Sequence, residues 1–334
     1  KNIGLDFYLL SDRISGSFDF FRNDITRLLG YASTSPLAIY ETRPINGGHY
    51  YRRGWELMVD TKNLVGEFTW DTSLTFSKTN SFWKERLPNY DYQIYQQREN
   101  EPMSAYYYYN VTGIINTDRS NMPESQKTLQ AEAQLPGCPI IEDKNKDGKI
   151  DENDVYMKDN SPAIYVGIGN TFTYKRFEFS FFMYGQFGIQ KYNIAYSAAQ
   201  AGPLAVDYPE NSNKFAYRLW NSQTNPNGSR PGLAIGKMGA LPGNAWVNAD
   251  RENASFMRMR NITLAYNLAG NILGSLQRYV RNIKVYVDAQ NPFILTKFQG
   301  FDPEIYTGGG GASGGSRGEY PQTRTFSLGA NITF

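Results

Sequence analysis

Apolar and polar residues alternate without a break in the final stretch, Arg324–Phe334. Phe326, Leu328, Ala330, Ile332 and Phe334 fall on one side; Thr325, Ser327, Gly329, Asn331 and Thr333 fall on the other. A period of two over this length is a β-strand with one oily and one wet face. About ten residues is also what a tilted strand needs to cross a bilayer. An edge strand of a sandwich reads the same way, so the other strands and their spacing must decide.

The same alternation recurs upstream. Lys1–Leu10 and Arg13–Asp24 form a pair turning at Ser11-Asp12, and in the second strand Ile14, Gly16, Phe18 and Phe20 alternate with Ser15, Ser17, Asp19 and Phe21. An inward Asp19 is tolerable beside a water-filled lumen. The polar, Pro/Gly-marked segment Ile25–Arg53 is expected to be a loop. Gly54–Asp60 and Phe68–Thr79 make the next hairpin around Thr61–Glu67, with Trp70, Thr72, Leu74 and Phe76 on one face. A long irregular connection is expected over Asn80–Pro162. Ile164–Tyr174 and Phe177–Phe187 then turn at Lys175-Arg176; Ile164, Val166, Ile168, Phe172 and Tyr174 share their face with Asn170. Another long connection, Gly188–Asn253, leads to Ser255–Asn267, and a wider turn to Ile283–Asn291. The Gly-rich Gly308–Gly315 reads as a flexible tip in the last connection.

Connection lengths separate the two architectures. Between about nine strands the short ones run to about 2, 7, 2 and 15 residues and the long ones to about 29, 84, 68 and 32, in strict alternation. Every long connection therefore leaves one end of the sheet, as in an outer-membrane barrel with long extracellular loops and short periplasmic turns. The expected fold is all-β: an antiparallel transmembrane β-barrel wall over residues 1–334, with an extracellular loop at 80–163. An odd number of strands cannot close an even-numbered barrel, so partner strands are expected N-terminal to Lys1. No signal peptide stands before that residue, which fits either removed export information or the C-terminal part of a longer chain. A secreted, calcium-stabilised β-sandwich that binds glycans is the alternative.

Composition narrows this further. With 25 Tyr and 20 Phe yet a mean hydropathy of −0.53, the 334-residue chain is aromatic-rich but hydrophilic. No apolar run approaches the ~20 residues of a membrane helix, so any spanning structure is a closed sheet. Net charge is +2, and no basic cluster interleaved with aromatics points to nucleic acid. The single cysteine, Cys138, excludes an internal disulfide framework, and the single histidine, His49, argues against His-assisted catalysis. No enzymatic activity is expected.

One motif carries chemistry. Asp143-Lys-Asn145-Lys-Asp147-Gly148-Lys149-Ile150-Asp151-Glu-Asn-Asp154 places oxygen donors at positions 1, 3, 5, 9 and 12 of a calcium loop. The Lys149 carbonyl stands at 7 and Gly148 at the sharp turn. Two departures are visible: position 12 is Asp154, not Glu, and no clear helix flanks the loop. A solvated, turn-rich loop is the competing account. A bound Ca2+ here would order an external loop. Tyr106, Tyr107, Tyr108 and Tyr109 are weak candidates for stacking on substrate, with β-propensity and loop packing as the plainer account. Trp220, Trp246 and the pair Arg258/Arg260 carry the same ambiguity; lumen-facing arginines of this kind often pair with a plug.

Several longer stretches resemble a known family. They are Asp143–Asp154 followed by Ser161-Pro162 and Gly167-Ile-Gly-Asn-Thr-Phe-Thr-Tyr-Lys175; Ser255-Phe-Met-Arg-Met-Arg-Asn-Ile-Thr-Leu-Ala-Tyr266; Val285–Lys297 with Gly300-Phe-Asp-Pro-Glu304; and Tyr320–Phe326. Asn2–Phe7 and Asn46-Gly-Gly…Arg53-Gly-Trp-Glu56 fit its earlier strands. Together they resemble the C-terminal barrel of SusC/RagA-type TonB-dependent transporters. The resemblance implies about nine strands of a roughly 22-stranded barrel in a Bacteroidetes-type outer membrane. It also implies an N-terminal plug reached by the TonB complex, a SusD-like lipoprotein lid, and import of oligosaccharides or peptides. A dimer of transporter–lipoprotein pairs belongs to the same expectation.

Overall fold

The computed structural model describes the chain apart from residues 35–38, 41, 89–91, 97–99, 194–215, 233–240, 243–245, 301 and 305–321. Among the described residues, nine strands make one antiparallel meander. They are β1 (Asn2–Leu9), β2 (Ile14–Ser33), β3 (Thr42–Leu64), β4 (Phe68–Glu85), β5 (Ile164–Tyr174), β6 (Phe177–Phe187), β7 (Phe256–Ala269), β8 (Asn282–Gln290) and β9 (Thr325–Thr333). Each pairs with its neighbours in sequence, and the sheet is open, with β1 and β9 as its edges.

The registers carry one face across every strand. Leu5 lies opposite Phe18, Phe18 opposite Leu57, Leu57 opposite Phe76 and Phe76 opposite Val166. Further on, Phe172 faces Phe179, then come Leu264, Val287 and Leu328. The other face reads Thr171, Ser180, Thr263, Asp288 and Ser327 across the same five strands. A one-residue slip anywhere would exchange the two faces.

The apolar face is uncovered. Phe326, Leu328 and Ile332 are 75%, 82% and 51% exposed, and Leu5, Phe20, Phe177 and Leu264 are exposed with them. A sandwich would bury these side chains against a second sheet, so that alternative falls. A continuous oily face of this extent fits lipid. Its one conspicuous polar group is answered within the sheet: Asn170 Oδ1 accepts from Trp70 Nε1 (2.8 Å) and Thr72 Oγ1 (2.7 Å). Gly329, on the wet face, makes room for the Tyr286 ring, which lies 2.4 Å from where a Cβ would stand.

The alternation of connections is as expected. Residues 10–13, 65–67, 175–176 and 270–281 turn at one end; 34–41, 86–163, 188–255 and 291–324 leave from the other. Two expectations are corrected. Most of Ile25–Arg53 is strand, because β2 and β3 stay paired from Asp24↔Tyr51 up to Ser33↔Thr42. Beyond a bilayer both faces meet water, so the apolar signal fades while the hydrogen-bond ladder continues. At 20 and 23 residues these strands are about twice what a crossing needs. Arg27 at φ +55° and Gly48 at φ +77°, facing each other, break the ladder for one step without shifting the register.

The second correction concerns Asn80–Pro162. Strand β4 runs to Glu85, and the chain beyond it folds into an outer module. Short strands Ala105–Tyr109 and Tyr156–Asp159 pair antiparallel, and Trp246–Val247 of the next long connection joins them in parallel. Tyr95, Tyr109, Leu129, Ile141, Ile150 and Val155 form a buried core with Leu241 and Val247. Two long connections thus share one interior. Gly308–Gly315 lies outside the described residues.

Placing a charge on the oily face tests this orientation. In the intact protein refolded into lipid vesicles, Leu264→Arg should lose roughly 2–4 kcal/mol by denaturant titration, whereas Ser327→Arg on the wet face should lose under about 1. Equal losses would contradict the assignment of faces.

Candidate functional site

The calcium-type motif occupies the edge of the outer module, between the strand Pro139–Ile141 and a 3-10 turn, Glu152–Asp154. Ile150 anchors it in the core at 4% exposure. Gly148 takes φ +85° and its N–H donates to Asp143 Oδ2 at 2.9 Å. Asn145 Oδ1 accepts from Asp147 N (3.2 Å), and Asp147 Oδ1 from Lys149 N (3.1 Å). Asp154, fully buried, clamps the two ends: Oδ1 accepts from Lys144 N at 2.9 Å and Oδ2 from Asp151 N at 2.8 Å.

The donor set suits a hard cation, and Asp143 Oδ1 is enclosed without a protein partner. The charge is balanced from within. Lys149 Nζ sits 2.8 Å from Asp151 and 3.9 Å from Asp147, and its ammonium holds the Asp151 carboxyl below the usual range. As they stand, no three His, Cys, Asp or Glu side chains converge into a metal-holding group among the described residues. Calcium coordination would require Lys149 to swing away and Asp154 to trade a backbone N–H for the ion.

The four tyrosines divide by strand parity. Tyr109 is fully buried and its hydroxyl donates to the carbonyls of Asp151 (3.1 Å) and Pro242 (3.0 Å), so it fastens the motif to the module core and offers no surface to a substrate. Burial pushes its hydroxyl up. Tyr107, on the same side, packs on Tyr95 and accepts from Arg86. Tyr106 and Tyr108 form a ladder with Tyr156: Tyr108 and Tyr156 stack at 5.7 Å, and Arg251 lies over Tyr106 at 3.6 Å. Those ring faces are taken by each other and by the guanidinium, and the Tyr106 hydroxyl donates to Gln190 Oε1. Trp220 packs its ring against Gly137, and only the backbone of Trp246 is described.

Arg258 and Arg260 find partners inside the chain. Arg258, 3% exposed, donates from Nη2 to both Asp302 oxygens at 2.7 Å, and its Nε closes on Glu304. Arg260 donates to Asn291 Oδ1 (3.1 Å) and Tyr184 Oη (3.1 Å) and lies 3.5 Å from Glu304. This cluster pins the last long connection to the rim of β6 and β7. Spacing alone could not reveal it, because 44 residues separate Arg258 from Asp302. Arg86 with the buried Glu101 was likewise invisible in the sequence, as was Gln126, whose amide satisfies Ala133 O, Pro139 O and Ile141 N. Below the rim, the wet face forms a groove of about 400 Å³ lined by Ser15, Asp60, Lys62, Asp71, Ser73 and Thr171 among others.

An open meander with one lipid-facing side, one wet side and every long excursion at one rim defines a segment of a transmembrane β-barrel. No family model matches the chain. TonB-dependent receptor P3 of Formosa agariphila is 26% identical over 353 aligned positions, covering all of this chain and 34% of that protein. TonB-dependent receptor SusC of Bacteroides thetaiotaomicron is 27% identical, covering all of this chain and 31% of its own length. A solved structure of the RagAB peptide transporter superposes with a TM-score of 0.74 at 19% identity, over the whole of this chain and 34% of that one. The chain spans about a third of the length of the curated relatives it matches. Its relatives are SusC/RagA-like TonB-dependent receptors of the outer membrane, and against the RagAB structure the chain fits a C-terminal barrel fragment.

Truncating Asp302 tests the rim cluster. Asp302→Ala in the intact receptor leaves Arg258 buried without its main partner and should cost about 3–5 kcal/mol locally. Limited proteolysis should then cut the connection 291–324 far faster, while cleavage in 143–154 stays unchanged.

Proposed function

We propose that this chain is the wall and outer face of an active importer of nutrient oligomers, oligosaccharides or peptides. The observation that carries the reading is similarity along the whole of this chain to about a third of the length of TonB-dependent receptors, SusC among them, on a sheet whose inner face is polar and whose rim bears a folded outer module. Energy comes from the TonB complex acting through a plug, and a SusD-like surface lipoprotein covers the outer module. Pairs of receptor and lipoprotein assemble as dimers. The chain itself performs no bond chemistry; the named relatives are receptors. Its inner groove, which sets hydroxyls, amides and charged groups beside Phe182, suits cargo that offers both hydrogen-bonding groups and apolar surface.

Ca2+ belongs to the same reading as a structural ion at Asp143, Asn145, Asp147, Lys149 (through its carbonyl), Asp151 and Asp154. Support comes from the spacing of the donors, the orphaned Asp143 oxygen and the turn at Gly148. The ion would reach the module core through Ile150 and through the Asp151 carbonyl that holds Tyr109.

Two experiments address these points. Cells lacking the intact receptor should lose growth on the oligomers it imports, tested with panels of oligosaccharides and of peptides as sole nutrient, and a TonB-deficient strain should match that loss. Normal growth on every member would refute import. Separately, chelation with EDTA should speed proteolysis within 143–154 by about tenfold or more, as loss of a ligand held at many times its Kd requires. Asp147→Ala should show that rate with or without calcium, and a wild-type protein indifferent to EDTA would rule the ion out.

A further inference from the structure

Directly above the oily belt, on the same outward face, three cations stand on adjacent strands. Strand parity places Arg22 above Phe20 and Phe18, Arg53 above Trp55 and Leu57, and Lys78 above Phe76 and Leu74. Arg22 lies directly opposite Arg53, and Lys78 opposite Trp55, one step from Arg53. Above them come Asp24, Tyr51 and Phe82.

Like charges directly across a strand pair destabilise it. One of these charges is answered inside the chain: Arg22 donates from Nε and Nη2 to the two Asp24 oxygens at 3.0 and 3.1 Å. Arg53 and Lys78 have no acidic partner among the described residues. Arg53 is exposed, and its guanidinium is held over the Phe82 ring at 5.1 Å, while Arg22 lies over Tyr51 at 4.3 Å and Tyr51 stacks on Phe82 at 5.3 Å. Two cations, Arg53 held over a ring and Lys78 beside it, therefore face outward without an ion pair among the described residues.

Their height identifies what supplies it. Trp55 and Phe20 end the oily belt on the loop side, where interfacial aromatics sit at the headgroup level. The next residues up meet the polar layer of the outer leaflet. We propose that Arg53 and Lys78, framed by the Arg22–Asp24 pair, form a binding site for the phosphate groups of an anionic glycolipid of that leaflet. Trp55, Phe20 and Leu57 would lie along its acyl chains. The site is built from charge complementarity and from continuity with the lipid-facing belt, and it would anchor the tall β2–β4 ribbon at a set depth. It does not depend on what the receptor imports.

The test uses the intact receptor, purified in detergent and titrated with diphosphoryl lipid A, its dephosphorylated form and inorganic phosphate. The diphosphoryl lipid should bind at least about tenfold more tightly than the dephosphorylated one, and the double variant Arg53→Gln/Lys78→Gln should lose that margin. Lys62→Gln, on the wet face, should retain it. Equal binding of the two lipids by the wild type would overturn the proposal without recourse to any variant. An unchanged margin in a folded double variant would also overturn it, and inorganic phosphate binding as tightly as the lipid would reject a lipid as the ligand.

Discussion

Backbone hydrogen bonding is the constraint on which this structure rests. Hydrocarbon offers no partner to an N–H or C=O, so a chain without a long apolar helix can cross it only as paired strands. Once nine strands are paired in sequence order, side-chain parity follows, and each residue faces either lipid or water. Leu5, Phe18, Leu57 and Phe76 are aligned by ladders that need no knowledge of the side chains. The side chains in turn forbid a slip, because a slip would turn Asp19, Glu56 and Asp60 into lipid. The outward Asn170 shows how narrow the allowance is: its carbonyl oxygen takes two donors from the neighbouring strand.

Outside the bilayer the rules are those of a soluble domain. The outer module buries Tyr109, Ile141, Ile150 and Val155 and draws Leu241 and Val247 from a second connection. Much of its polar interior is paired, with Asn248 donating to Asn110 Oδ1 at 2.7 Å and accepting from Val111 N at 3.0 Å, while Asp143 Oδ1 stays without a protein partner. A ligand or ion that acts on the motif at 143–154 therefore acts on both long connections. The buried Arg258–Asp302 pair does similar service for the last long connection, beside Ile294 and Phe298 packed against Phe256. Burying such a pair is worthwhile only when every member finds a partner, as Arg258 does.

Legibility followed physics. The crossing strands could be read because lipid on one side and water on the other impose a two-residue period, seen most plainly in Thr325–Thr333. The parity of the connections could be read because strand direction alternates whatever the loops contain. The upper halves of β2 and β3 could not, since both of their faces meet water. Nor could the outer module, whose core gathers residues from two connections at irregular spacing. Tyr106 and Tyr109 look alike in sequence, yet parity sends one to a solvent-edged ladder and the other to the core.

The sequence by itself determined the class of the protein, the two faces of its sheet and the rim from which the long connections leave, because these depend on local period and on chain direction. It also contained the oxygen donors of the 143–154 arc. The tertiary structure decided which distant residues meet: Arg258 with Asp302, Tyr109 with the Asp151 carbonyl, Arg22 opposite Arg53 above the oily belt. Those meetings depend on register and on loop closure across many residues, and neither leaves a local trace in the order of the amino acids.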